Sequence, residues 1–460
     1  MPKRRRCDED PDKQPAPAKR SRTGSKRNLL DISDEILLRI LSFLPIKDLL
    51  KTECQFRIKT NWSKGQARVK EVEVARPPAP PVIAKVHGGM IFTVDRSTGL
   101  RVWSQQDVTR TSRAQIHLHA QSEATCIAVE TVDDTVYILL GCDDGSFSIY
   151  LYDREGQFEH WSSHQSADGP LMAISLAFPY VMTISRTKFL SLYQWESKET
   201  RGGDATNMFT IARLQSDASF SPISVALRRT PTQLIATVAY AFNRLQSGWC
   251  IGLQEIRLTT AGRLVDSRLA STIGPAMDFR YTGWSKGDMT TQSTSSMPLP
   301  LHPQLMNPPT SLSYQHPFLI GTLADNTIMS FLVTSNDEKL EISSGRRLWG
   351  HTSAVSGAEV NNRGKAVSIS SRGEEMRVWD LELVMTTETQ PRTSTRITSI
   401  NAFSRGAGLF ARRSPSLGLA LREIRHELEL TRRWVGFDEE QVVVLGERDQ
   451  KQIMALYDFT

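Results

Sequence analysis

Two kinds of apolar pattern divide the chain. Between Ile36 and Leu44 seven of nine positions are apolar, which predicts a helix whose apolar surface extends almost around its circumference. Pro45 ends this helix, and a second short helix fits Lys47 to about Cys54. A helix that packs on one core needs only a single apolar stripe. The pattern therefore predicts that a second apolar side of this helix is available to bind a partner protein. The alternative is an ordinary buried helical hairpin.

Beyond about residue 76 the pattern indicates β-structure. Short β-branched and aromatic runs alternate with Gly, Asp, Asn and Ser turns, which is typical of many short antiparallel strands. The clearest unit begins at Gly350-His351 and ends at Trp379-Asp380, with a strand predicted from Lys365 to Ser370. The same strand–turn–strand hairpin is predicted in weaker form in five other segments, 92–103, 140–150, 184–193, 321–331 and 445–457, and a longer hairpin is predicted at 234–256.

The repeat predicts a mainly β fold, a WD-repeat-like β-propeller of about seven blades. A four-stranded blade leaves an apolar face that only a neighbouring blade can cover, so such blades close into a ring. Segment 67–74 alternates apolar and polar residues and is predicted to supply the closing outer strand, and residues 283–310 are predicted to form a surface insertion. Aromatic residues at the ends of third strands are predicted to fill the contacts between blades: Trp103, Tyr150, Tyr193, Phe331, Trp379 and Tyr457.

No residue pattern typical of catalysis stands out. The five cysteines are scattered without the close spacing of a zinc site, which fits a reducing compartment. His351 is predicted to hydrogen-bond through Ser368 to Trp379, although Arg372 and Gly373 stand where a turn aspartate usually completes such a network. We therefore predict no enzyme activity, no metal site and no cofactor. An enzyme built on a propeller is the alternative, and a cavity of ionisable groups with perturbed pKa values would favour it.

The basic charge of the chain is concentrated at its N-terminus. The chain has 56 basic and 50 acidic side chains, and residues 1–27 hold ten of the basic and four of the acidic ones. The remainder is neutral, so nucleic acid is not an expected partner, and no apolar run is long enough to span a membrane. Residues 1–28 are predicted to be a disordered tail. Its two basic clusters predict a bipartite nuclear-import signal, the alternative being a solvated arm: Lys3, Arg4, Arg5, Arg6, Lys19, Arg20 and Arg22.

The apolar helical segment closely resembles the F-box, the module that docks a substrate receptor onto the adaptor of a cullin-RING ubiquitin ligase. Glu35-Ile36-Leu37-Leu38, Phe43-Leu44 and Asp48-Leu49-Leu50 fit the family pattern, whereas Ile32-Ser33 stands where the family usually has Leu-Pro. The resemblance covers about a twentieth of the chain. It implies an adaptor-binding face or its supporting core: Ile32, Ile36, Leu37, Ile40, Phe43, Leu44, Leu49 and Leu50.

An F-box followed by a WD-type propeller resembles the F-box/WD-repeat receptors of SCF-type ubiquitin ligases, especially those of fungi. The domains expected are the F-box at 29–56 and the propeller at 57–460. The resemblance implies that the F-box binds the adaptor, and through it the cullin–RING core, while the propeller binds a protein substrate for ubiquitin-dependent degradation. An acidic or phosphorylated segment is the substrate class that relatives suggest, and no substrate-binding residue is predicted. The alternative is a nuclear WD-repeat scaffold without a role in ubiquitination, and the expected location is the nucleus, the cytoplasm or both.

The F-box of this chain is shorter than the family pattern. The third helix and most of the aromatic-rich linker that relatives have are missing, because Cys54-Gln55-Phe56 is followed directly by Arg57 to Gly65. Residues 61–65, Asn-Trp-Ser-Lys-Gly, resemble the family's lead into the propeller. Two short helices alone are marginal in water. We therefore expect weaker adaptor binding than in relatives with a complete F-box, unless the sequence lacks an exon.

Overall fold

The computed structural model divides the chain into two compact units, residues 1–56 and 57–460. The structure describes the following residues: 43, 45–75, 82–104, 112–118, 122–153, 155–197, 206–216, 220–244, 248–260, 263–272, 284–285, 307–370, 375–386, 394–399, 431–448 and 450–460. The predicted basic tail, the first F-box helix apart from Phe43, and most of the predicted insertion lie outside these residues.

Helix α1 (Ile46–Lys64) is longer than the sequence prediction, which ended near Cys54. No proline or glycine interrupts the chain between Pro45 and Gly65, so nothing in the sequence stops the helix earlier. Gly65 has a φ of +65°, the left-handed conformation that commonly ends helices, and its N–H donates to the Trp62 carbonyl at 3.1 Å. The first β-strand begins one residue later.

The strands of the first half of the ring form four consecutive antiparallel sheets. Their β-branched and aromatic residues suit a pleated surface that is buried on both faces. Blades 1 to 4 take four strands each, in chain order: β2 (Ile83–His87), β3 (Met90–Asp95), β4 (Gly99–Ser104), β5 (Ala114–Ile116); β6 (Ala124–Val132), β7 (Thr135–Cys142), β8 (Ser146–Tyr152), β9 (Phe158–Gln165); β10 (Leu171–Ala177), β11 (Tyr180–Ser185), β12 (Phe189–Ser197), β13 (Thr206–Ser216); β14 (Phe220–Arg229), β15 (Gln233–Arg244), β16 (Gly248–Thr259), β17 (Leu264–Ser271).

The second half of the ring contains three more sheets, so the described strands form a seven-blade propeller. A short strand, β18 (Trp284–Ser285), adds to the outer edge of β13. Blades 5 and 6 and the chain's part of blade 7 are, in order: β19 (Pro309–Gln315), β20 (Phe318–Leu323), β21 (Ile328–Ser335), β22 (Leu340–Ile342), β23 (Arg346–Leu348); β24 (Val355–Val360), β25 (Lys365–Ser370), β26 (Met376–Asp380), α2 (Leu381–Thr386), β27 (Ser394–Arg396), β28 (Thr398–Ser399); β29 (Thr431–Phe437), β30 (Gln441–Arg448), β31 (Lys451–Asp458).

Seven separate apolar clusters hold the blades together, one between each pair of neighbours. The predicted aromatic residues lie in these clusters. Trp103 of blade 1, for example, packs among residues of blade 7, and Trp379 of blade 6 packs against blade 5. Blade 4 has no aromatic residue at that place and uses Ile256 and Leu258 of β16. The fold class predicted from the sequence is therefore confirmed.

Ring closure depends on a strand from before the propeller's first complete blade. Strand β1 (Gln66–Ala75) pairs antiparallel with β31, from Arg68 opposite Asp458 to Ala75 opposite Gln452. It becomes the fourth strand of blade 7, and its first two residues also pair with β28. The ring is thus closed by backbone pairing between the first and the last strand of the propeller sequence.

The turns of the blades define two faces. The AB face carries the turns between first and second strands, and the BC face carries those between second and third strands. At the BC turns of blades 1 and 2, Gly99 and Gly145 have φ of +80° and +85°. A Cβ at Gly99 would lie 2.2 Å from the Ile116 carbonyl oxygen, so glycine is required there by conformation and by space.

Candidate interaction sites

Few of the predicted adaptor-binding residues fall in the described part of the chain. Phe43 is 79% exposed and Leu50 is 60% exposed. Leu49 lies within α1. The other predicted positions, Ile32, Ile36, Leu37, Ile40 and Leu44, lie outside the described residues, as do all seven predicted nuclear-import residues. Phe43 precedes α1 and Leu50 lies within it, and large apolar side chains exposed together are typical of a surface that a partner covers.

The end of α1 is anchored to the AB face of blade 7. The Trp62 indole stacks on the Phe459 ring with centroids 3.9 Å apart and an interplanar angle of 9°. Its Nε1 donates to the Glu439 carbonyl at 2.9 Å, and the Lys365 ammonium lies 4.1 Å from the ring centroid. The Asn61 side-chain amide donates to the Phe459 carbonyl at 2.8 Å. Sequence reasoning placed Trp62 at the lead into the propeller and missed this anchoring role.

A second polar cluster, at the CD loop of blade 5 on the AB face, joins blades 4 and 5. Glu255 of β16 is fully buried and accepts from Arg257 Nε at 2.9 Å, Arg268 Nη2 at 2.6 Å and Ser335 Oγ at 2.6 Å. Burial acts to raise the pKa of Glu255, but the hydrogen bonds from Ser335 and the two arginines outweigh it and lower the pKa below its usual value. Both arginines also donate to the Asn336 carbonyl, so the cluster fixes the loop of one blade to a strand of the other.

On the BC face, turn carboxylates recur with arginines from third or fourth strands. The carboxylate at the turn accepts hydrogen bonds from backbone N–H or hydroxyl groups. The arginine neutralises its charge, so each of these arginines forms an ion pair within the propeller. Four blades have such a pair: Asp95–Arg101 at 2.7 Å, Asp168–Arg213 at 2.6 Å, Asp325–Arg347 at 3.2 Å and Glu375–Arg377 at 3.4 Å.

The predicted network around His351 is confirmed. Trp379 Nε1 donates to Ser368 Oγ at 2.7 Å, and Ser368 Oγ lies 2.6 Å from His351 Nε2. Because the serine oxygen accepts from the indole, its own proton is available for Nε2 of a neutral imidazole. Glu375, rather than a turn aspartate, faces the other side of the ring, with Oε2 3.7 Å from His351 Nδ1. Burial, assisted by the positive charge of Arg377, lowers the pKa of His351 to about 4.

We expect this histidine to weaken the propeller in acid. Its folded pKa of about 4 lies below the ordinary value of 6.5, so as pH falls from about 6.5 to about 4 the unfolded chain takes up a proton that the folded chain does not. The free energy of unfolding should therefore fall by about 3 kcal/mol across this window. Urea unfolding at pH 7 and pH 4 should show this loss in the wild type and a smaller loss in His351→Gln. Equal losses in the two proteins would contradict the assignment.

Metal-binding and thiol chemistry can be examined directly in the described residues. Within the described ranges, no group of three His, Cys, Asp or Glu side chains could hold a metal ion. Burial raises the pKa of the Cys126 thiol to about 12, which makes it a poor nucleophile. None of the helices in the described part of the chain is both long and apolar enough to cross a membrane.

One family model matches most of the propeller. The family model described as the F-box protein pof12 beta-propeller matches residues 67–460. Among solved structures, the beta-propeller domain of Cps50 (Swd1) from Myceliophteria thermophila is 8% identical, with a TM-score of 0.47, and the alignment covers 85% of this chain and 100% of that one. The RRP9 WD40 repeats are 9% identical, also with a TM-score of 0.47, covering 85% and 97%. No curated protein sequence matches the chain. The family match covers most of the chain, which therefore belongs to the F-box protein pof12 β-propeller family.

Proposed function

We propose that this protein is the substrate-recognition subunit of an SCF-type ubiquitin ligase. The family match to an F-box protein propeller carries the proposal, and the F-box-like apolar segment ahead of the propeller supports it. In this role the F-box docks the adaptor, and the propeller binds a protein substrate near the RING subunit and its conjugating enzyme. The receptor raises the effective concentration of the substrate and contributes no catalytic group of its own.

A double substitution in the F-box tests the proposal. Leu37→Ala with Leu44→Ala removes two predicted anchors, and loss of a buried anchor typically costs at least about 2 kcal/mol of binding energy. The adaptor should therefore bind about 1,000-fold more weakly in a pull-down with purified proteins. Arg39→Ala with Ser42→Ala, at the polar positions of the same segment, is the matched control and should bind normally. Unchanged binding of the leucine variant would reject the F-box assignment and favour the WD-repeat scaffold.

The short F-box predicts a lower affinity for the adaptor, which can be measured. We propose that the adaptor binds this chain more weakly than it binds a receptor with a complete third F-box helix, because two helices have less apolar surface to support their packing. Titration calorimetry with the adaptor and both receptors compares the two affinities. Equal affinities would refute the proposed weakening while leaving the receptor function intact.

We also propose that the two basic clusters of the tail direct nuclear import. Each cluster offers several positive charges in a proline-containing segment of low apolar content. A fluorescent fusion that lacks residues 1–27 should lose nuclear enrichment relative to the full chain. Nuclear enrichment that persists in the truncated fusion would assign import to another segment or to a bound partner.

A further inference from the structure

The BC face between blades 5 and 6 exposes a tryptophan. Trp349 follows β23 and lies in the loop that leads to β24, and its side chain is 63% exposed. It is the most exposed large apolar residue among the described residues of the propeller. The others, Phe209, Leu264 and Val265 on outer strands and Leu383 on α2, lie elsewhere on the propeller.

The backbone that carries Trp349 is held on both sides. Leu348 is buried and pairs with Ile328 in the sheet. His351 is buried and bonded to Ser368, and the next carbonyl, that of Thr352, accepts from Asn326 Nδ2 at 3.3 Å. An exposed tryptophan on a fixed backbone loses little conformational freedom when a partner binds, so it is suited to act as an interface anchor.

The charges around Trp349 are already neutralised. Arg347 lies over the indole, 5.8 Å from its centroid, and pairs with Asp325. Arg377, whose guanidinium lies against Gly350, is bonded to Glu375 and to Ser394 Oγ. A phosphate or acidic side chain bound by either arginine would lie close to the carboxylate of Asp325 or Glu375, whose repulsion would offset the attraction of the guanidinium. The charge pattern therefore favours an uncharged occupant.

We propose that the Trp349 surface, defined by Trp349, Arg347, Asp325 and Arg377, docks an uncharged segment of a protein substrate through an apolar side chain packed on the indole. This inference rests on the proposed receptor function, because it names the class of segment that the propeller would recognise. It differs from the expectation of an acidic or phosphorylated segment that family resemblance suggested.

The test is a selection from a random peptide library displayed on phage, with the full chain immobilised. Peptides enriched by the wild type should contain apolar or aromatic residues without an excess of Asp and Glu. A selected peptide, synthesised unmodified, should bind Trp349→Ala about 30-fold more weakly than the wild type in a fluorescence titration. Phe209→Ala removes another exposed aromatic residue, from the outer strand of blade 3, and should bind the peptide normally.

Several results would overturn the inference. One is that Trp349→Ala and the wild type enrich the same peptides or bind them equally. Another is that adding a phosphoserine beside the apolar residue strengthens binding in a Trp349-dependent way. A third is that a single-stranded RNA oligonucleotide binds the wild type but not Trp349→Ala. Adaptor binding of Trp349→Ala, measured in parallel, should equal that of the wild type, so loss of the receptor function and loss of this surface remain distinguishable.

Discussion

Replacing Trp62 with alanine is expected to lower the free energy of unfolding of the propeller by about 3–5 kcal/mol. The indole is 5% exposed and belongs to the apolar cluster between blades 6 and 7. Its removal leaves a cavity against Phe459 and unpairs the Glu439 carbonyl. The contacts that are lost lie beside β1, the strand that closes the ring. We therefore expect the variant to unfold at a clearly lower urea concentration than the wild type.

Two further variants separate the contributions of Trp62. Trp62→Phe keeps an aromatic ring on Phe459 and loses only the N–H hydrogen bond and part of the volume, so it should cost about 1–2 kcal/mol. Ser63→Ala changes the exposed neighbouring residue and should cost less than about 0.5 kcal/mol. If Trp62→Ala unfolds at the same urea concentration as Ser63→Ala, Trp62 does not anchor the end of α1 to blade 7.

Glu255→Ala, in blade 4, is expected to lower the free energy of unfolding by a similar amount, about 3–5 kcal/mol. The substitution leaves Arg257 and Arg268 without the carboxylate that neutralises them inside the protein, and both guanidiniums are largely buried. The cost comes mainly from these uncompensated charges rather than from the attraction that is lost. Unfolding in urea at pH 7 measures it.

The exposed end of the same cluster provides the control. Asp337 pairs with Arg257 at 2.9 Å, but its side chain is 95% exposed. Asp337→Ala should therefore cost less than about 1 kcal/mol, as exposed ion pairs generally do. Glu255→Gln keeps an acceptor without the charge and should fall between the two. Equal stability of Glu255→Ala and Asp337→Ala would show that the buried carboxylate is not needed to join blades 4 and 5.

The propeller could be predicted from the sequence because its pattern is local and repeated. The hairpin from residue 365 to Asp380 contains the strand period, the turn and the terminal aromatic within a few residues, and five weaker copies repeat this order. The buried aromatics Trp103 and Trp379 confirm that these positions fill contacts between blades. The network from His351 to Trp379 was also predictable, because its residue types recur at fixed places in such repeats.

The polar contacts between distant parts of the chain could not be predicted in this way. Glu255 and Arg257 alternate along β16, which by itself resembles a solvent-facing strand edge, and their respective partners Ser335 and Asn336 are about 80 residues away. The length of helix α1 was underestimated, because the prediction ended the helix near Cys54 although the sequence contains no proline or glycine before Gly65. The exposure of Trp349 depends on the path of the loop between blades 5 and 6, which cannot be predicted from the local sequence pattern.

Affinity purification of the full-length protein from its native cells, with and without a proteasome inhibitor, tests the receptor function most directly. We predict that the adaptor and cullin co-purify with the wild type and are lost with the Leu37→Ala, Leu44→Ala variant. At least one further protein should accumulate in the wild-type sample when the proteasome is inhibited, because a receptor's substrate is otherwise degraded. A set of partners without adaptor or cullin, and unchanged by the inhibitor, would contradict the receptor function and identify a scaffold.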